Sequence, residues 1–271
     1  EELLRKNVLL IGGEVHRLRE IEFYFTCKNH QDPFTHCHTE QSKFGIWYFH
    51  RMSATSSTYK GGSFKGLDFT LGNGSLAAGG VLIRSLEHVK SGKIICGPSL
   101  CVNYILECNS SPNIKHFVDT HLSGDLQAHS TNQNALSLRT TKEQPHSLSV
   151  THTARIGLYF TKKDVDIELQ QQYIFKLYRS VSGVHQISKG RALAIMAMTE
   201  TLTASETQEI LSSPLHTIEK YRALYWKGKR MDANQYTGNK WSDSMLCECY
   251  GCNGQIPQRN GRSSKNKCGH R

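Results

Sequence analysis

The chain has 271 residues and carries 33 Lys+Arg against 23 Asp+Glu, a formal net charge of +10. That length is enough for one large domain or two small ones with a real core. No apolar run approaches the ~20 residues that cross a bilayer, which excludes a chain spanning a membrane as helices. The positive balance points to a polyanionic partner, either nucleic acid or an anionic surface. The N-terminus, Glu1 to Lys6, has no signal-peptide shape and no initiator Met, as in a fragment of a longer protein. Of nine cysteines, Cys27, Cys37, Cys96, Cys101 and Cys108 are scattered through apolar or aromatic sequence. They read as reduced thiols of an intracellular protein, nuclear in a eukaryotic host and cytoplasmic otherwise.

Residues 7–26 alternate around Val8, Leu10, Val15, Leu18, Ile21, Phe23 and Phe25, with Gly12-Gly13 at a turn, and predict a hairpin. Short strands follow at 45–51, 64–71 and 80–87, separated by the Gly-rich turns Lys60-Gly61-Gly62-Ser63 and Leu71-Gly72-Asn73-Gly74. Gly97-Pro98 opens a short helix over Ser99 to Leu106. Residues 120–153 are rich in Ser, Thr, Asn, Gln and His and predict a long polar loop, with strands again at 154–160 and 173–181. The last third reads as helical. Leu193 to Leu202 is apolar, and Thr203 and Glu206 have capping-box spacing. Ser213-Pro214 then starts a helix carrying Leu215, Ile218, Arg222 and Tyr225, with Gly228 as its stop.

The charge is unevenly placed. Residues 219–271 hold 11 Lys/Arg and 4 Asp/Glu, which is most of the excess. The layout is therefore one mixed α/β domain over 1–230 and a basic, Cys-rich tail over 231–271. In that tail Cys247, Cys249 and Cys252 are followed by Cys268 and His270. Four of these five could close a tetrahedral structural zinc site, although C-x-C spacing is less usual than C-x-x-C.

The most informative stretch is Glu20-Ile21-Glu22-Phe23-Tyr24-Phe25. Alternation points Ile21, Phe23 and Phe25 toward a core and puts Glu20, Glu22 and Tyr24 together on the other face. Two carboxylates and a phenol on one face could bind and activate a water; an ordinary solvated strand shows the same pattern. Asp32 and His36 follow in a D-x-x-x-H spacing. After them come Gly45-Ile46-Trp47-Tyr48-Phe49-His50, then Gly62 to Asp68, then Val81-Leu82-Ile83-Arg84-Ser85-Leu86-Glu87, then Gly97-Pro98-Ser99-Leu100-Cys101.

This ordered set resembles the methylpurine (alkyladenine) DNA glycosylases, over roughly residues 8–181. The resemblance implies an α+β fold, a single mixed domain around a curved antiparallel sheet with C-terminal helices. It implies a monomeric, monofunctional enzyme of base excision repair. Such an enzyme flips a modified purine out of double-stranded DNA and hydrolyses its N-glycosidic bond, with no cofactor required for catalysis. By motif position, Glu22 would be the general base and Arg84 would lie near the attacking water. Tyr24, His36 and His50 would stack on the base, and Asp68 would sit at the pocket edge. Arg155 and Arg179, on two late strands similar to the family's, would contact DNA, and Tyr59 would be the intercalating wedge.

The sequence departs from the family in several places. Asp68 stands where the family has Asn, and an ionised Asp only accepts hydrogen bonds. His50 replaces an aromatic ring, an insertion spans about Arg51 to Lys60, and the Lys of the family's G-P-x-K-L-C turn is absent. A non-catalytic nucleic-acid-binding module on the same scaffold is the alternative, because this fold also serves as a tRNA-binding appendage in formyltransferases. An O-glycoside hydrolase using Glu20 and Glu22 is disfavoured by the basic balance and the lack of a Trp-rich cleft.

Overall fold

Gly12 and Gly13 take φ of +57° and +82°, the left-handed pair that a tight hairpin turn requires. They reverse the chain between β1 (Asn7–Ile11), which follows the short α1 (Glu2–Lys6), and β2 (Glu14–Cys27). The structure, a computed structural model, describes residues 1–130, 135–141, 148–160, 166–237 and 240–253. Along the chain come β3 (His30–Gln31), β4 (Phe44–Phe49), β5 (Leu67–Leu71), β6 (Ala77–His88), β7 (Ile94–Cys96), α2 (Pro98–Cys108) and α3 (Ile114–His116). They are followed by β8 (Leu136–Thr140), β9 (Val150–Thr153), α4 (Ile167–Ile174), β10 (Arg179–Ser182), α5 (Arg191–Met198), α6 (Ala204–Leu211), α7 (Leu215–Gly228) and α8 (Asp243–Asn253).

The strands form one curled antiparallel sheet, ten-stranded among the described residues, with the path β4-β5-β6-β2-β1-β8. β2 is its spine. One edge pairs with β6 along nearly its whole length; the other pairs first with β1 and then with β10. The register slips between Leu18 and Ile21, a bulge of the kind that bends a strand and increases its twist.

Alternation decides the two faces. Ile21, Trp47, Phe49, Leu67, Phe69, Val81 and Ile83 point to one side and bury against Cys101, Val102, Ile105 and Leu106 of α2. The residues between them, Glu20, Glu22, Tyr24, Tyr48, Asp68, Leu82 and Arg84, share the opposite side. A second apolar cluster, built on Val181 of β10 with Ile195, Leu211, Ile218 and Tyr225, holds the C-terminal helices. Their starts follow the sequence: Thr203 accepts from the Glu206 backbone while the Glu206 side chain reciprocates at the head of α6. No described helix is long and apolar enough to cross a membrane.

Several predicted elements shift. The polar stretch 120–153 contains β8 and β9. Leu136 and Leu138 alternate into the core and their backbone pairs with β1, so tertiary pairing overrides a polar composition. Residues 154–160 contain no strand, and the predicted strand 173–181 divides into the end of α4 and β10. Asp166 caps α4 by accepting from the Glu168 backbone N–H.

Part of the stretch beyond 231 packs on the body. Ala233, Tyr236, Cys249 and Cys252 bury with Phe160 and Ile174, and α8 lies directly on α7. Two glycines permit that approach. A Cβ at Gly228 would lie 1.9 Å from the Glu248 carbonyl oxygen, and one at Gly251 would lie 2.1 Å from the Tyr225 carbonyl oxygen. Gly228→Ala and Gly251→Ala are each expected to cost about 1–3 kcal/mol or more by overpacking, read as a lowered urea midpoint.

Candidate active site

The strand registers place the site before any side chain is considered. Tyr48 pairs with Asp68, Asp68 with Leu82, Leu82 with Glu22, and Glu22 with Arg179, one lateral row across five strands. The neighbouring row runs Thr70, Gly80, Tyr24. Residues directly opposite each other share a face, so Glu22, Tyr24, Asp68 and Tyr48 lie on one surface. Gly80, with no side chain, lies between Thr70 and Tyr24. At about 4.8 Å per strand spacing, the backbones of Glu22 and Asp68 are about 10 Å apart.

Glu22 is fully buried. Its Oε1 accepts from the Ile156 backbone N–H at 2.7 Å; its Oε2 accepts from the Tyr24 hydroxyl at 2.9 Å and from Arg84 Nη1 at 3.2 Å. Burial, with the Glu22 carboxylate beside it, holds the Tyr24 phenol well above its ordinary range, so it remains a donor. A carboxylate offers about four acceptor positions, and three are filled here, which leaves one for a water.

Glu20, two residues earlier, has a different role. Oε1 accepts from Arg179 Nε at 2.6 Å and Arg84 Nε at 3.1 Å, and Oε2 accepts from Ser85 Oγ at 2.5 Å. Burial alone would raise this carboxyl, but Arg179, Arg84 and Ser85 hold it below its ordinary value of 4.5. Glu20 thereby fixes Arg84, and Arg84 carries Glu22.

The second half of the site is built of rings. Asp32 is buried and takes a two-point contact from Arg155, Nη1 to Oδ2 at 2.5 Å and Nη2 to Oδ1 at 3.1 Å. The same guanidinium lies over the Tyr24 ring, 4.5 Å from its centroid. This ties the loop bearing His36 to the strand bearing Tyr24. His36 Nδ1 is 2.7 Å from the Tyr48 hydroxyl, and the His36 and His50 ring centroids are 6.0 Å apart. Burial, then Lys60 and His50, pushes the His36 imidazole down to about 4, so it is uncharged at neutral pH. His50 Nε2 lies 2.8 Å from Asp68 Oδ1.

No family model matches the chain. A viral protein is similar to part of it. Uncharacterized protein L759 of Acanthamoeba polyphaga mimivirus is 40% identical over 119 residues, covering 40% of this chain and 54% of that protein. The chain thus matches about half the length of this relative.

The structure brings Glu22, Tyr24 and Arg84 into direct contact, and joins His36 to His50 and Asp68 through Tyr48 and ring contacts. Other expected site residues sit elsewhere. Arg155 and Arg179 are buried; Arg179 is held by Glu20, Thr153 and the Lys189 carbonyl, and Arg155 by Asp32, so neither guanidinium is presented to a phosphate. Tyr59 is half-buried, edge-on to Phe49 with the Arg51 guanidinium 3.5 Å over its ring, so it packs instead of projecting as a wedge. The projecting apolar side chains nearby are Met52, 62% exposed, and Phe64, 75% exposed.

Cys247 lies in one apolar cluster, Cys249 and Cys252 in another, because positions two apart on a helix face opposite ways. Burial pushes the Cys247 thiol up to about 12. The other expected zinc ligands, Cys268 and His270, lie outside the described residues. Among the described residues no three metal-binding side chains come together.

Tyr48 belongs to the aromatic strand motif with Gly45, but the sequence assigns no role to Gln41 or Ser85. Gln41 lies in a loop, and Ser85 has the parity of the core residues Val81 and Ile83 and meets Glu20 only because the register shifts there.

Two experiments probe this geometry. Asp32→Asn leaves Arg155 buried without its counter-ion and is expected to cost about 3–5 kcal/mol of stability in urea unfolding. Two of the shifted groups, His36 and Glu20, also contribute to a pH dependence. Between 6.5 and about 4 the unfolded chain binds a proton at His36 that the folded chain does not, so stability declines as pH falls through that window. Below 4.5, protonation of Glu20 removes a further contribution that is fully present at neutral pH. His36→Asn should flatten the first decline and Glu20→Gln the second, each read from denaturation midpoints across pH 7.5 to 3.

Proposed function

We propose that this protein is a monofunctional DNA N-glycosylase that hydrolyses the N-glycosidic bond of a flipped, modified purine. The observation that carries the reading is the Glu22 carboxylate. It is withdrawn from solvent, fixed by Tyr24, Arg84 and the Ile156 N–H, and keeps one of about four acceptor positions unfilled among the described residues, on the sheet face that also bears Tyr24. In the proposed step a water held at that position donates its proton to Glu22 and its oxygen bonds to C1′ of the flipped nucleotide. The C1′–N bond breaks, its electron pair leaves with the base, and the products are a free base and an abasic site in an intact strand.

The rings supply what a flipped base needs. Tyr24 on β2, and His36 and His50 beside β4, offer flat surfaces for a purine removed from its stack. Alkylated purines are often cationic, and the Tyr24 ring face favours a cation. Arg84 balances the charge of Glu22 before water is bound. The basic excess beyond Glu219 provides general attraction to phosphate, with the salt dependence that such contacts carry. The likeness of the motifs over residues 8–181 to the methylpurine DNA glycosylases supports the same reading.

The test is base release. Duplexes carrying single 3-methyladenine, 7-methylguanine, hypoxanthine, ethenoadenine or 6-methyladenine are incubated with the protein, then cleaved at abasic sites with alkali. At least one is expected to be cut, and Glu22→Gln should lower the single-turnover rate by about 10²–10⁴-fold with DNA affinity retained. Intact binding with no release from any substrate would overturn the catalytic reading in favour of a binding module.

A further inference from the structure

Asp68 occupies the position at the pocket edge where a base-reading amide would be expected, but its carboxylate is already engaged. It is 2% exposed. Oδ1 takes His50 Nε2 at 2.8 Å and Oδ2 takes the Gln41 side-chain amide, Nε2, at 2.8 Å. Gln41 is itself buried, and its Oε1 accepts from the His38 backbone N–H at 3.2 Å, so its NH₂ has to face Asp68. In the neutral imidazole, a carboxylate that only accepts places the proton of His50 on Nε2 and leaves Nδ1 without a partner among the described residues. Gly66 makes room for this ring: a Cβ there would lie 2.6 Å from both Cε1 and Nδ1 of His50.

His36 is fixed in the complementary way. The Tyr48 hydroxyl accepts from the Arg51 backbone N–H at 3.3 Å and has its proton left for His36 Nδ1 at 2.7 Å. With His36 uncharged, its own proton lies on Nε2. The two rings, 6.0 Å apart, thus carry opposite hydrogen-bonding characters at the nitrogens not used inside the protein: a donor on His36 and an acceptor on His50.

Resting on the glycosylase reading, we propose that Gln41 and Asp68 are positioning residues that act through His50, and that His50 Nδ1, not Asp68, is the polar atom presented to the flipped base. The base class this favours carries a hydrogen-bond donor on its edge, an exocyclic amino group or a ring N–H. Specificity at this end of the pocket then depends on a buried chain, from the His38 N–H through Gln41 and Asp68 to His50, that never touches the substrate.

The chain can be reversed without changing net charge. Asp68→Asn alone turns an NH₂ toward the Gln41 NH₂, donor against donor, and the lock on His50 fails. Adding Gln41→Glu restores every bond with the carboxylate and amide exchanged. In full-length protein labelled with ¹⁵N-histidine, imidazole nitrogen spectra should show His50 as the Nε2–H tautomer. Asp68→Asn should give a tautomer mixture, and the double variant should restore the single form.

On a duplex bearing single hypoxanthine, whose ring N–H is a donor, Asp68→Asn should lower kcat/KM about tenfold or more, mainly through KM. The double variant should recover to within about threefold of wild type, a rescue that two independent structural defects would not give. An unchanged His50 tautomer in Asp68→Asn, or a double variant no better than the single, overturns the proposal. If wild type releases no base from the five-base panel but the tautomer pattern follows the chain, the glycosylase reading fails while the positioning of His50 stands. If wild type cuts ethenoadenine, whose edge carries no N–H donor, and none of the other four bases, with the same tautomer pattern, the assignment of Nδ1 to a donor edge is overturned.

Discussion

Four buried guanidiniums hold the polar face of the sheet together. Arg84 bonds Glu20 and Glu22, Arg179 bonds Glu20, Arg155 bonds Asp32, and Arg19 bonds Glu87. Four carboxylates balance four cations, and the balance is what makes their burial tolerable: a single buried charge without its partner costs several kcal/mol. The partners come from β2, β6, β10 and the connections around them, so the charges can pair only when these strands are in register. A slip of one residue on β2 would send Glu20 and Glu22 into the apolar side and Ile21 into the charged one.

This constraint explains why the site is both buried and exact in its geometry. Glu20 is a structural counter-ion. Its neighbour Glu22 receives the remaining reach of Arg84 together with a phenol and a backbone N–H, and is thereby held where a water can be met. Arg155 extends the same logic outward, joining the Asp32 loop to Tyr24 and so bringing the His36 segment to the rim. The ring half of the site has its own buried support in Gln41 and Asp68, separate from the arginine network. The proposed chemistry at Glu22 and the proposed recognition at His50 are therefore held by different sets of bonds.

The C-terminal helices contribute by a different physics. Their docking on β10 is apolar, and the α7–α8 contact depends on two residues without side chains where backbones approach closely. The basic excess beyond Glu219 is consequently divided: part of it rides on α7, inside the folded body, and part lies further along the chain.

The sequence alone determined what is local. Alternation separated the Ile21, Phe23 and Phe25 side from the Glu20, Glu22 and Tyr24 side. Paired glycines marked the first hairpin, and Thr203 with Glu206 marked the head of α6. These features are legible because each depends on bonds within a few residues. What the tertiary structure decided is long-range. β8 and β9 emerge from polar sequence because β1 and β10 offer them edges. Arg155 and Arg179, surface cations by composition, are drawn inside by carboxylates more than a hundred residues away. Gln41 gains its role only when a loop folds over Asp68. A counter-ion leaves no periodic trace in the chain, so the motifs indicated that Glu22 and Arg84 matter, and only the packed sheet selected which groups hold them.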